Sequence, residues 1–179
     1  MIWMAASDLH GSAESTEKLL NRFEEEGAER LLLCGDYSSH SYLADCTESG
    51  LTVAEMLNEY ADRIYGVCGN CDYEEDQADY DFEMRVPLQK LSFGNRHIYM
   101  THGHLYDAMY PPKPMEKGAY LLCGHTHVPS YEDYRDYIYI NPGSAARPRG
   151  GSPKSYLLMT EQKLIWKDLT GKAFMEMPW

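Results

Sequence analysis

Five short segments of this chain bring together the residue types that hold metal ions. In order they are Asp8-Leu9-His10, Gly35-Asp36, Gly69-Asn70-Cys71-Asp72, His102-Gly103-His104 and Gly124-His125-Thr126-His127. Histidine is scarce, with seven in 179 residues, yet His10, His102, His104, His125 and His127 all fall inside these segments. Side chains alternate along an extended segment, so Asp8 and His10 face one way, and so do His125 and His127. Imidazoles mixed with carboxylates suit Zn²⁺, Mn²⁺, Fe or a similar ion better than Ca²⁺. Each piece alone is weak, because a lone Gly-Asp is usually a turn and a lone His usually a surface or satisfied core residue. Repetition carries the reading.

Each segment follows an apolar run that reads as a strand: residues 2–6, 31–34, 64–68, 97–101 and 120–123. Residues 14–26 read as a helix with Leu19, Leu20 and Phe23 on one face and Gly27 as its stop. A second helix opens at Thr52-Val53-Ala54-Glu55, a capping-box pattern, and places Val53, Met56, Leu57 and Tyr60 on one face. The first seventy residues therefore read β-α-β-α-β, which favours a parallel sheet with helical crossovers. In such sheets sites gather beyond the carboxyl ends of the strands, so the five segments should converge on one crevice. The second half is different. Residues 88–93 and 97–101 flank a turn at Gly94-Asn95-Arg96, and 131–134 with 137–140, then 156–159 with 164–166, read as further hairpins. That half is expected to be β-rich and largely antiparallel. The fold class is α/β, in one domain over residues 1–179 with two packed sheets.

The five segments, in this order, resemble the calcineurin-like metallophosphoesterase superfamily. Its pattern is D-x-H, G-D, G-N-H-[DE], a His in a G-H or H-G-H context, and G-H-x-H. The block Thr101-His102-Gly103-His104, the run Asn141-Pro142-Gly143-Ser144 and the small size are similar to compact bacterial phosphodiesterases of the YfcE type. The resemblance runs from Asp8 to about Arg149. It implies two packed mixed β-sheets flanked by helices, a four-layer α-β-β-α sandwich, and a dinuclear centre. By position Asp8, His10 and His127 resemble the ligands of a first metal, Asn70, His102 and His125 those of a second, and Asp36 the carboxylate bridging both. The ions would be divalent, manganese foremost, with Fe, Zn, Ni or Co as alternatives. They would clamp the phosphoryl group of a small phosphoester and generate a bound hydroxide near neutral pH, with Asp36, Asn70, Cys71 and His102 at the reacting centre. His104 matches no ligand position.

One position departs from the pattern. Gly-Asn-Cys-Asp stands where many relatives carry Gly-Asn-His-Asp, and that His is assigned to transition-state stabilisation or leaving-group protonation. Cys71 cannot copy an imidazolium, since a thiol is a weak donor and its anion has the wrong sign. A slower enzyme, or one for activated leaving groups, follows, with a non-catalytic scaffold of the same fold as the rival reading. Cys68-Gly-Asn-Cys71 also matches C-x-x-C, but only one such pair exists, so a redox function is the weaker reading. Arg147-Pro148-Arg149 is a basic loop that could meet a substrate phosphate, or be a solvated loop.

Net charge is −12, which repels polyanions and argues against stable binding to nucleic-acid polymers. The odd count of five cysteines argues against a disulfide framework, and Cys34, Cys68 and Cys123, each after an apolar run, should be buried. No apolar run approaches the roughly 18 residues of a membrane span. The apolar start is short and lacks a basic region, so a first strand is expected rather than a signal peptide, with the cytoplasm as default location. Tyr131, Tyr134, Tyr137 and Tyr139 on one hairpin read as a sheet surface or a subunit contact, which leaves a homo-oligomer open.

Overall fold

The computed structural model of the chain describes residues 1–38 and 52–179; Cys46, counted above, lies outside them. Its elements are β1 (Trp3–Ala6), α1 (Ala13–Glu25), β2 (Arg30–Leu33), α2 (Val53–Asn58), β3 (Ile64–Gly66), β4 (Leu88–Phe93), β5 (Arg96–Thr101), β6 (Ala119–Leu122), β7 (Ser130–Asp133), β8 (Tyr137–Asn141), β9 (Ser155–Met159), β10 (Lys163–Asp168) and β11 (Ala173–Pro178). Short 3-10 turns at Ala61–Arg63 and Glu74–Asp79 flank β3. The helix starts are capped as the sequence suggests. Ser12 accepts from the Ser15 N–H, and Thr52 and Glu55 form a reciprocal capping box.

The strands form two mixed sheets. One has the order β11-β10-β9-β1-β2-β3 and the other β4-β5-β6-β8-β7. Pairing of β1 with β2 and β2 with β3 is parallel, as the β-α-β-α-β reading requires. The second half is less antiparallel than expected. Its hairpins β4-β5, β7-β8 and β9-β10 are present, but β5-β6 and β6-β8 pair in parallel. Two parallel joins normally announce themselves through crossover helices. Here the chain crosses from β5 to β6 through a long connection without an α-helix, so the local pattern gave no signal. The sequence reading also missed β11, an edge strand whose side chains are mostly exposed and carry no clean apolar alternation.

Alternation along β1 shows how the layers are built. Trp3 and Ala5 face the second sheet, where they meet Ile98, Met100 and Leu122, and share that core with Trp166 of β10. Met4 and Ala6 face the other way and pack with Leu19, Phe23, Met56 and Leu57 of the two helices. The helices thus cover the outer face of the six-stranded sheet. The outer face of the five-stranded sheet, with Tyr99, Leu121 and Tyr139, is packed by Ala108 and Met115 of the β5-β6 connection. Among the described residues that fourth layer is a loop rather than a helix. Cys34 and Cys123 are buried as expected, while Cys68 is only partly so. No helix among the described residues is long and apolar enough to cross a membrane.

Candidate metal centre

The loops after β1 and β2 continue the parallel ladder past the strand ends. Asp8 N–H donates to the Gly35 carbonyl (3.1 Å), His10 N–H to Asp36 (2.9 Å) and Gly11 N–H to Tyr37 (2.8 Å). The β3 loop is drawn against them by one half-buried acid. Asp72 accepts from the backbone N–H groups of Asp36 (2.7 Å), Tyr37 (2.8 Å) and Gly69 (2.7 Å). The approach is close enough to require glycine, since a Cβ on Gly69 would sit 2.0 Å from Asp36 Oδ1.

Backbone strain concentrates on the same loops. Asp8, His10, Asp36, His125 and His127 all have φ between +46° and +65°. Left-handed φ costs a non-glycine residue of order 1–3 kcal/mol, and persists only where the surroundings over-determine it. The one other non-glycine example among the described residues, Arg135, sits in a hairpin turn. Strain at five of the eight residues singled out by the sequence motifs is an observation independent of those motifs.

The donor atoms converge. Asp8, His10 and His127 offer ligand atoms lying within 4.8 Å of one another, as do His10, Asp36 and Cys71, and again Asp8, Asp36 and His102. The Asp36 carboxylate spans the groups, with Oδ1 3.4 Å from His102 Nε2 and Oδ2 3.7 Å from His10 Nε2. Asn70 Oδ1 lies 3.0 Å from His102 Nε2. His125 is joined more loosely. Its N–H donates to Asp8 Oδ2 (3.1 Å) and its ring lies against that of His102 at 5.0 Å, but its nitrogens enter none of the three compact groups. His104 packs at the mouth, 5.4 Å from the His102 ring and 6.4 Å from His125.

The set fits a cation. Asp8 Oδ1 is buried and accepts no hydrogen bond, a costly arrangement unless a positive charge meets it. His127 Nδ1 lies 2.5 Å from the Arg147 carbonyl and His102 Nδ1 2.7 Å from the Cys34 carbonyl. A carbonyl can only accept, so each ring holds a proton on Nδ1 and directs Nε2 inward, that of His102 toward Asn70 Oδ1 and the Asp36 carboxylate. The His10 and His127 Nε2 atoms then face each other at 3.3 Å. Burial pulls the His10 pKa down to about 4, so the ring is neutral and ligand-ready at pH 7. Burial also works against charge on Asp36 and on His102, but their mutual contact prevails, holding Asp36 well below the carboxylate range and raising His102. Burial raises Asp8.

A profile of the calcineurin-like phosphoesterase superfamily domain matches residues 1–164. The chain belongs to that superfamily. It is 37% identical to phosphodiesterase YfcE of Escherichia coli over 163 residues, which cover 90% of this chain and 88% of that protein. It is 32% identical to the probable metallophosphoesterase YsnB of Bacillus subtilis, over 86% of this chain and 80% of the relative. The solved structure of the E. coli phosphoesterase superposes with a TM-score of 0.89 at 34% identity, covering 99% of both chains. Vacuolar Protein Sorting 29 of Cryptosporidium parvum shares the fold, with a TM-score of 0.64 at 18% identity over 99% of this chain and 98% of that one.

Three supporting roles escaped the sequence reading. Asp72 was visible only as the tail of the third motif. Ser144 donates to the Asp8 carbonyl (2.9 Å) and accepts from Arg147 N–H (2.8 Å). Asn141 donates to the Gly124 carbonyl (2.7 Å), fixing the His125 turn, and accepts Trp166 Nε1 on its own carbonyl (2.6 Å). The acceptor role of Asp72 predicts a large stability effect. Asp72→Ala would leave three short backbone donors without their acceptor, at roughly 1–3 kcal/mol for a buried orphan, so a loss of about 3 kcal/mol or more is expected in urea unfolding. Asp72→Asn keeps one acceptor oxygen and should lose less. Two equal losses would show that the carboxylate is not the staple.

Proposed function

We propose that this phosphoesterase hydrolyses a small phosphodiester with two divalent ions, manganese foremost, held by Asp8, His10 and His127 on one side and Asn70, His102 and His125 on the other, with Asp36 between them. The observation that carries the reading is the placement of the two Asp36 oxygens, one toward His10 and one toward His102. When bound, the ions supply Lewis acidity toward the phosphoryl oxygens and a nucleophile from water. The chain supplies the rest. The Arg147 and Cys34 carbonyls orient two imidazoles, Asp72 fixes the loops that carry Asp36 and Asn70, and Ser144 fixes the backbone of Asp8. Cys71, His102, Asp36 and Asn70 face the reacting group.

The whole chain acts as one cytoplasmic domain in this reading. The six-stranded sheet supports it, because it combines β1–β3 with β9–β11 from the far end of the chain. The acidic surface disfavours polynucleotide substrates. A non-catalytic scaffold role is the second reading, favoured only by Cys71 at the position of an imidazole.

The test is to strip the protein of metal, reload it with Mn²⁺, and measure both metal content and hydrolysis of bis-p-nitrophenyl phosphate. Two ions per chain and chelator-sensitive turnover are expected. One ion or fewer in a folded protein counts against the dinuclear site, and full metal content without turnover favours the scaffold.

A further inference from the structure

The segment after β8 carries two cations that the metal-ligand set does not use. Arg147 and Arg149 flank Pro148, and both side chains are exposed. Their backbone is fastened to the cluster rather than free in solution. The Arg147 carbonyl meets His127 Nδ1 at 2.5 Å, Arg149 N–H donates to the His127 carbonyl at 3.1 Å, and Arg147 N–H donates to buried Ser144 Oγ at 2.8 Å.

Of the sixteen lysines and arginines, seven stand in an ion pair among the described residues. Neither Arg147 nor Arg149 does, and neither guanidinium has a hydrogen-bond partner among the described residues. The two charges are also distributed across the cluster, since Arg147 lies near enough to His10, and Arg149 to His125, to bear on those rings electrostatically. The backbone that carries both guanidiniums is thus held against His127 of the cluster.

We propose that Arg147 and Arg149 form an anion clamp at the rim of the ligand cluster, which makes this enzyme prefer phosphodiesters carrying a second phosphate near the scissile one. The inference rests on the phosphodiesterase reading. A diester has one charge on two non-bridging oxygens, and the ions inside the cluster are placed for those. The guanidiniums lie farther out, on an exposed segment, so they meet the part of the substrate beyond the reacting group. Planar guanidiniums match a phosphate through paired hydrogen bonds, which a lysine cannot copy. On a surface of net charge −12 they also supply the local attraction that an anionic substrate otherwise lacks.

The experiment uses full-length manganese-loaded protein and two arms. Calorimetry compares thymidine 3′,5′-bisphosphate with thymidine 5′-monophosphate. Hydrolysis compares thymidine 5′-p-nitrophenyl phosphate with the same ester bearing a 3′-phosphate. The wild type should favour the extra phosphate by about tenfold or more in Kd and, through KM, in kcat/KM, the scale of a charge-assisted contact. That preference should vanish when Arg147→Gln and Arg149→Gln are combined and persist in part with Arg147→Lys and Arg149→Lys, at unchanged metal content. Equal affinity in the wild type, or a preference that survives the double Gln variant, overturns the clamp. Arginine-dependent binding without hydrolysis of either ester by the wild type leaves the clamp standing and overturns the phosphodiesterase reading.

Discussion

Asp36→Asn is expected to strip both metal positions, whereas His10→Ala strips mainly one. The Asp36 oxygens face opposite halves of the cluster, at 3.4 Å from His102 Nε2 and 3.7 Å from His10 Nε2. A carboxylate so placed contributes charge to two ions and screens their mutual repulsion, which is roughly 4 kcal/mol for unit charges 4 Å apart at an effective dielectric of 20 and larger for divalent ions. The amide introduced by Asp36→Asn would keep the volume and one acceptor for the Cys71 N–H (2.8 Å) but lose the charge. His10 lies against Asp8, His127 and Asp36, with the Cys71 sulfur also within ligand distance, and enters no compact group with His102. Metal content per folded chain after equilibration with Mn²⁺ is the measurement. The expected order is near two for wild type, near one for His10→Ala and near zero for Asp36→Asn, with activity falling at least as steeply. Equal single-ion losses in the two variants would remove the bridging role from Asp36.

Legibility in the sequence divides along a physical line. What depends on local pattern was readable. Thr52 and Glu55 announced a helix start, apolar runs announced the strands, and the Gly, Asp and His residues after them announced the strand-end turns. What depends on long-range closure was not. No short-range signal shows that β5, β6 and β8 run parallel, because the chain makes those joins through loops. No periodicity shows that Asp72 staples the loop after β2 to the loop after β3, since its three donors come from both. The positive φ values of Asp8, His10, Asp36, His125 and His127 could have been half-anticipated, because Asp and His enter that region more readily than most residues. His125 shows the reverse case. The G-H-x-H spacing suggests two equivalent ligands, yet His127 is buried in the tight Asp8–His10 group while His125 is exposed beside His102. Both residues have left-handed φ, so the extended alternation behind the spacing argument does not hold there.

Cys71 supplies the other large expected effect. The thiol stands in one ligand-distance group with His10 and Asp36, and Asn70 Nδ2 donates to its sulfur at 3.3 Å. Burial and then the Asp36 charge push its pKa up to about 11, so it is a neutral thiol at pH 7 rather than a nucleophilic thiolate. A neutral thiol can be replaced by a hydroxyl at little cost, and Cys71→Ser should retain much of the wild-type turnover. Cys71→His introduces an imidazole where many relatives have one. General acid–base catalysis is typically worth about 10²–10⁴-fold, so even partial use of that ring should raise kcat on an ester with a poor leaving group, such as a dialkyl phosphate. On bis-p-nitrophenyl phosphate the gain should be small, because p-nitrophenolate leaves without protonation. The pH profile separates the causes, since a gain from an imidazolium must fall as pH rises through the pKa of the new ring, whereas a gain from altered metal binding need not. Metal content has to be measured alongside. If Cys71→Ser loses activity with both ions still bound, the thiol itself takes part in the chemistry. If it loses activity together with an ion, the sulfur is a ligand and the contact with His10 and Asp36 is a coordination site.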